Sequence, residues 1–170
     1  RVINDDRINP GMGFGTHGHK NMEIITYVLA GGIAHKDSMG NGSVIQPGAV
    51  QRMSAGTGVR PSEFNPASES PAHLLHIGIE TNVSESTPSY EAKTFDAAEK
   101  RGQLRLIARD DGRDDSVLIH QDADVYAGLF DGAERATLLL PAGRRAYLHV
   151  ARGAVRVNVQ LIDASKDRHL

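Results

Sequence analysis

The segment Gly15-Thr16-His17-Gly18-His19 holds the side chains best suited to chemistry. On an extended strand, residues two apart project from the same face, roughly 6.5–7 Å from each other, so both imidazoles can converge on one ion. On a helix the same spacing splays them. An HxH pair alone is equally two exposed loop histidines, and only its surroundings can decide. Here the flanking glycines and the β-branched and apolar run Met22-Glu23-Ile24-Ile25-Thr26-Tyr27-Val28-Leu29 favour a strand. The chain has no cysteine, so any metal must be held by His, Asp or Glu.

The elements that position these residues read as short strands joined by turns. The 170 residues suffice for one compact domain or two small ones, and 18 glycines and 7 prolines accompany no long amphipathic helix pattern. Residues 1–14 look like polar turn material around Asn9-Pro10-Gly11. Strands are expected at 22–29, 33–36, 44–46, 51–54 and 73–80, with a hairpin loop at 37–43. Residues 81–94, rich in Ser, Thr and Pro, read as a linker. A short helix is expected at 96–101. Further strands are expected at 104–108, 116–120, 125–130, 135–140 and 146–157. A weak echo links Tyr27-Val28-Leu29-Ala30-Gly31 to His149-Val150-Ala151-Arg152-Gly153, as if two related units existed of which only the first kept imidazoles.

Composition excludes several classes. A net charge of -2 gives no nucleic-acid footprint, and an aromatic content of 5% without Trp gives no base-stacking platform. No run of 18 apolar residues is present, so no membrane partner is expected. The missing cysteines fit a reducing compartment, and a cytoplasmic location is expected.

The spacing Gly11, His17, His19, Glu23, Gly31 resembles the first motif of the cupin superfamily, with its last gap one residue long, and Pro47-Gly48 resembles the start of the second. The likeness sharpens at family level. Gly13-Phe14-Gly15-Thr16-His17-Gly18-His19, Met22-Glu23-Ile24-Ile25, His35-Lys36-Asp37-Ser38-Met39-Gly40-Asn41, Gln51-Arg52-Met53-Ser54-Ala55-Gly56-Thr57-Gly58 and Ser62-Glu63-Phe64-Asn65 together resemble the pirin family. Pro88-Ser89-Tyr90-Glu91 resembles its interdomain segment. The resemblance implies an all-β bicupin, two small antiparallel β-barrels of the jelly-roll type. Residues 1–88 would form an N-terminal barrel with the metal site, and 89–170 an incomplete C-terminal cupin-like barrel without a metal motif. Both ends look truncated against the family pattern.

The resemblance also implies a ligand set. His17, His19 and Glu63 match three of the family's four ligands. The fourth, a histidine two residues before the glutamate, is replaced by Pro61, which has no side-chain donor. The remaining three make a 2-His-1-carboxylate set, which suits non-haem Fe(II) and leaves positions open. Fe(II) is the expected ion, with Ni, Mn, Cu and Zn as alternatives. His76, where family members commonly carry Gln, is the expected replacement for the lost ligand. Gly78 stands where they carry Trp, which would widen the pocket. Glu23 is expected on the barrel exterior or behind the ligands, His35 to orient a strand or face solvent, and His73, His120, His149 and His169 to be structural or exposed. The activity implied is quercetin 2,3-dioxygenase-type cleavage of a small aromatic, flavonol-like substrate with O2, with Glu63 also the catalytic base. The alternative is a non-enzymatic, metal-binding regulatory pirin that contacts a transcription factor or metabolic enzyme.

Overall fold

The computed structural model describes residues 2–15, 17–36, 42–158, 160–164 and 168–169. The first half holds β1 (Val2–Ile8), β2 (Gly13–Phe14), β3 (Met22–Ala30), β4 (Ile33–Lys36), β5 (Gly42–Ile45), β6 (Ala49–Ser54), β7 (Ser62–Phe64), β8 (Ala72–Glu80) and β9 (Ser89–Thr94). After a single-turn helix α1 (Ala97–Lys100) come β10 (Leu104–Arg109), β11 (Val117–Leu118) and β12 (Val125–Gly128). The chain goes on through β13 (Tyr147–Leu148), β14 (Ala154–Val157), β15 (Gln160–Asp163) and β16 (Arg168–His169). The architecture is all-β, in keeping with a bicupin.

Two antiparallel sheets face each other in the first barrel, ordered β1-β8-β3-β6-β9 and β2-β7-β4-β5. The period-2 alternation of each strand sorts its side chains between two cores. Ile8, Val28, Ile33, Ile45, Ala49, Ala72 and Leu74 fill the barrel interior, with Phe14 packed against them. The opposite face of the first sheet is also covered. Ile25, Val50 and Phe95 pack there against Ile107, Ala108, Val117 and Ile119 of the following unit. A sheet buried on both faces explains why Ala49–Ser54 is buried at every position despite its polar residues.

The second unit contains a three-stranded sheet, β11-β10-β12, and the pairs β14-β15 and β13-β16. Polar contacts fasten it to the first barrel. Asp5 in β1 accepts from His73 Nε2 at 2.6 Å and from His149 Nε2 at 3.1 Å. Arg152 donates to the Leu29 carbonyl. Glu23 is 1% exposed on the outer face, where it accepts from Ser54 Oγ at 2.8 Å and lies 3.3 Å from His120 Nδ1.

Several expectations need correction. Residues 2–8 form an edge strand, not turn material; Asp5 and Asp6 hide it from a hydropathy reading because each meets a histidine on its own face. Residues 89–94 are a strand of the first sheet, paired with β6, so the linker ends earlier. No strand forms at 135–140, where Leu139 is 85% exposed. The stretch 146–157 is two strands separated by a turn in which Gly153 takes a φ of +72°, a left-handed conformation that glycine tolerates. Most of the loop expected at 37–43, and the side chain of His169, lie outside the described residues.

Burial pushes the Asp5 carboxyl up, but the hydrogen bonds from His73 and His149 and the nearby charges of His73 and Arg7 outweigh it and hold the group below its usual 3.8. A depressed carboxyl contributes stability above its unfolded-state value and loses it as pH falls through the folded-state value. Thermal melts of the parent should therefore lose stability below about pH 4 in a step that Asp5→Asn lacks, and superimposable profiles for the two proteins would refute the latch.

Candidate metal centre

The site lies at the polar end of the first barrel. His19 exchanges backbone hydrogen bonds of 3.0 Å with Val59, an isolated antiparallel bridge. The bridge holds the histidine segment to the chain leading into β7, which carries Glu63. The expected strand through His17 and His19 is thus shortened to a single bridge, yet the two rings meet edge to face with centroids 4.5 Å apart. His17 is exposed, and its Nδ1 donates to the Gly15 carbonyl at 2.8 Å, which leaves Nε2 as the free lone pair.

Register brings the remaining groups together. Across the second sheet Phe14, Glu63, His35 and Ser43 are successive partners, so all four side chains share its inner face. Across the first sheet Asn4, His76, Thr26, Gln51 and Ala92 form the facing row. The rows meet where His76 Nε2 lies 2.8 Å from Glu63 Oε2, while His76 Nδ1 lies 3.3 Å from Asp6 Oδ2. Phe14 closes the side, its ring edge-on to His76 at 4.9 Å between centroids. His76 thus faces the interior, beside the expected glutamate.

The two inner imidazoles are driven in opposite directions. Burial lowers the pKa of His19, the charges of His17 and His76 lower it further, and Glu63 opposes them incompletely, so the neutral imidazole that a metal needs is favoured. Burial also disfavours protonated His76, but the Glu63 and Asp6 carboxylates overcome it and raise its pKa above 6.5.

The residues present fit a divalent ion in their chemistry: two imidazoles in ring contact, a nearly buried carboxylate and a third imidazole bonded to it. Among the described residues no three donor groups are already drawn to one point. Glu63 is bonded to His76, so an ion must take that carboxylate over or bring His76 along with it. Pro61 is buried and supplies nothing. Glu23 takes no part, since it points out of the barrel. The widening expected at Gly78 is partly filled, because a Cβ there would lie 3.0 Å from Val2 Cγ1 and 3.4 Å from Met22 Cε.

The sequence reading missed Asp6, Gln51, Tyr90 and the inward direction of His35. His35 stacks on Tyr90 with centroids 5.5 Å apart, and burial raises the Tyr90 hydroxyl pKa, with a hydrogen bond to Ser43 opposing and the Glu63 charge adding to the rise. Gln51 and Tyr90 sat in matched sequence blocks, but only strand register shows where they point.

Comparison with known proteins identifies the family. The family model described as Pirin matches residues 1–79, and the quercetinase C-terminal cupin domain matches 106–167. A quercetin 2,3-dioxygenase of Escherichia coli K12 is 45% identical over 158 residues, covering 93% of this chain and 67% of the relative. The chain belongs to the pirin family. It spans about two thirds of that relative. Among solved pirins, YhhW from Escherichia coli superposes with a TM-score of 0.89 at 44% identity, covering 96% of this chain and 68% of the other. A structure of the same pirin in complex with nickel(II) gives 0.88 at 42% identity, covering 96% and 69%. Among the described residues of this pirin, no helix is long and apolar enough to cross a membrane.

A histidine with a raised folded-state pKa contributes stability that is full below its unfolded value and is lost as pH rises through the folded one. In metal-free protein, NMR titration should place the His76 midpoint above 6.5, and Glu63→Gln should move it down. A midpoint indifferent to Glu63→Gln would mean that the pair is not formed in solution.

Proposed function

We propose that this pirin is a metal-dependent oxygenase of the quercetin 2,3-dioxygenase type, acting on a small flavonol-like aromatic substrate with O2. His17, His19 and Glu63 are its ligands, and His76 stands in for the histidine lost at Pro61. Fe(II) is the ion we favour, with Ni, Mn, Cu or Zn as substitutes, in a cytoplasmic setting. The reading divides the chain into a metal-bearing unit that runs on through β9, past the boundary expected at residue 88, and a supporting unit after it. The observation that carries it is the 2.8 Å contact between His76 and Glu63, on the inner face of the barrel and within electrostatic reach of His19.

A bound divalent ion there would act as a Lewis acid that acidifies the substrate hydroxyl and admits O2 to the open side of the site. The protein's own groups do the rest. A Glu63 oxygen accepts the hydroxyl proton, and His76, held beside it with a raised pKa, shares that proton at Nε2. Asp6 fixes the His76 ring from its other nitrogen. Phe14, edge-on to His76, covers one side of the site and would help keep water from the reacting atoms. Glu63 cannot be at once a tight ligand and an unencumbered base, and His76 resolves the conflict by taking either the ion or the proton.

The regulatory alternative draws on Pro61, since a protein valued for its surface tolerates a weakened ion site. Elemental analysis separates the readings together with O2 uptake. Purified protein should carry roughly one ion per chain, with the ion lost in His17→Ala and Glu63→Ala and depleted in His76→Ala. Unchanged metal content in His76→Ala would discard its ligand role. O2-dependent flavonol loss should fall by about 10²-fold or more in Glu63→Gln. Metal-loaded protein that turns over no flavonol would defeat the oxygenase reading and leave the regulatory one.

A further inference from the structure

The inner row of the first sheet continues beyond His76 to groups outside the donor set. Gln51 is 1% exposed, and its Oε1 has no hydrogen-bond partner. His35 Nδ1, on the facing sheet, is likewise buried without a partner. Buried acceptors are nearly always satisfied, because leaving one unpaired costs the full desolvation of the group. Two such atoms on the facing walls of one barrel point to a ligand that places a hydrogen-bonding group between them.

Their placement gives that ligand a shape. Gln51 lies two strands from His76, with Thr26 between them, about 9–10 Å away at ordinary strand spacing. That matches the separation of hydroxyls at opposite ends of a two- or three-ring aromatic. Tyr90, partly exposed on the edge strand β9, is the diagonal neighbour of Gln51 across β6 and β9, and His35 stacks on it.

We propose that Gln51, with His35 and Tyr90, forms a hydroxyl-reading subsite inside the barrel, two strands from His76 along one sheet and one strand beyond Glu63 along the other, and that it selects aromatic substrates bearing a hydroxyl on the ring directed away from His76. The inference rests on the proposed oxygenase site and specifies its substrate class. Gln51 Oε1 accepts from the remote hydroxyl, and His35 Nδ1, in whichever tautomer the hydroxyl demands, completes the pair. The ring itself slides against the Tyr90–His35 stack.

The test is calorimetric titration of the metal-loaded protein with two flavonols that differ only in the presence of hydroxyls on the pendant ring. The parent should bind the hydroxylated ligand roughly tenfold more tightly, and Gln51→Met should bring the ratio close to one. The same variant, melted without ligand, should be no less stable than the parent, because it replaces an unpaired buried acceptor with an apolar chain of similar length. His35→Phe keeps the stack, should also narrow the ratio, and carries the test should Gln51→Met not fold. An unchanged ratio in both variants, a parent that does not distinguish the ligands, or a Gln51→Met protein that melts earlier yet still discriminates would each overturn the proposal. Failure of the oxygenase reading looks different: both ligands bind and are discriminated, but no O2 is consumed.

Discussion

The contact between His76 and Glu63 is where the two sheets of the first barrel share a polar interior, and the site is organised around it. A carboxylate and an imidazole taken out of water each cost several kcal/mol unless paired. Here they pair with each other, and the second imidazole nitrogen finds Asp6. The arrangement Asp6–His76–Glu63 thus sets two carboxylates around one ring, with the Glu63 charge within reach of His19. The chemistry of the centre and the burial of its parts are therefore one problem with one solution.

The first sheet makes that solution possible because it is covered on both sides. Along β8, even-numbered residues from Ala72 to Gly78 look into the barrel, while His73, Leu75 and Ile77 look toward the second unit. The same parity in β3 decides the fate of Glu23. Its neighbour Ile24 faces inward, so Glu23 must face outward, where Ser54 and His120 satisfy it. Arg52, on the same outer face, bonds Ser54, Ser89 and Glu91. A glutamate in the first cupin-like motif is in this chain an interface residue because of strand parity, whatever its spacing from the histidines.

Much of this was legible in the residues. Apolar and β-branched runs between turn residues located β3, β4, β6, β8 and β10, and the matched blocks pointed to His17, His19 and Glu63. What stayed hidden has physical causes. β1 carries two adjacent acids with partners on opposite faces, so it shows none of the apolar alternation that marks a half-buried strand. β9 is an edge strand with mostly exposed side chains, which a reading by composition takes for linker. Gln51, His35 and Tyr90 sit on three strands, and no local spacing reveals that they meet. That knowledge resides in the register between strands, which is set by the whole sheet.

The two adjacent acids leave the register of β1 undecided. A slip by a single position against β8 would invert its faces and merely exchange Asp5 and Asp6 between the His73 and His76 sides. Ile8 breaks that degeneracy, because the same slip would carry it out of the apolar interior it shares with Val28, Ala72 and Leu74. One buried aliphatic side chain at the end of an edge strand thereby decides which acid serves the metal-side histidine and which the latch.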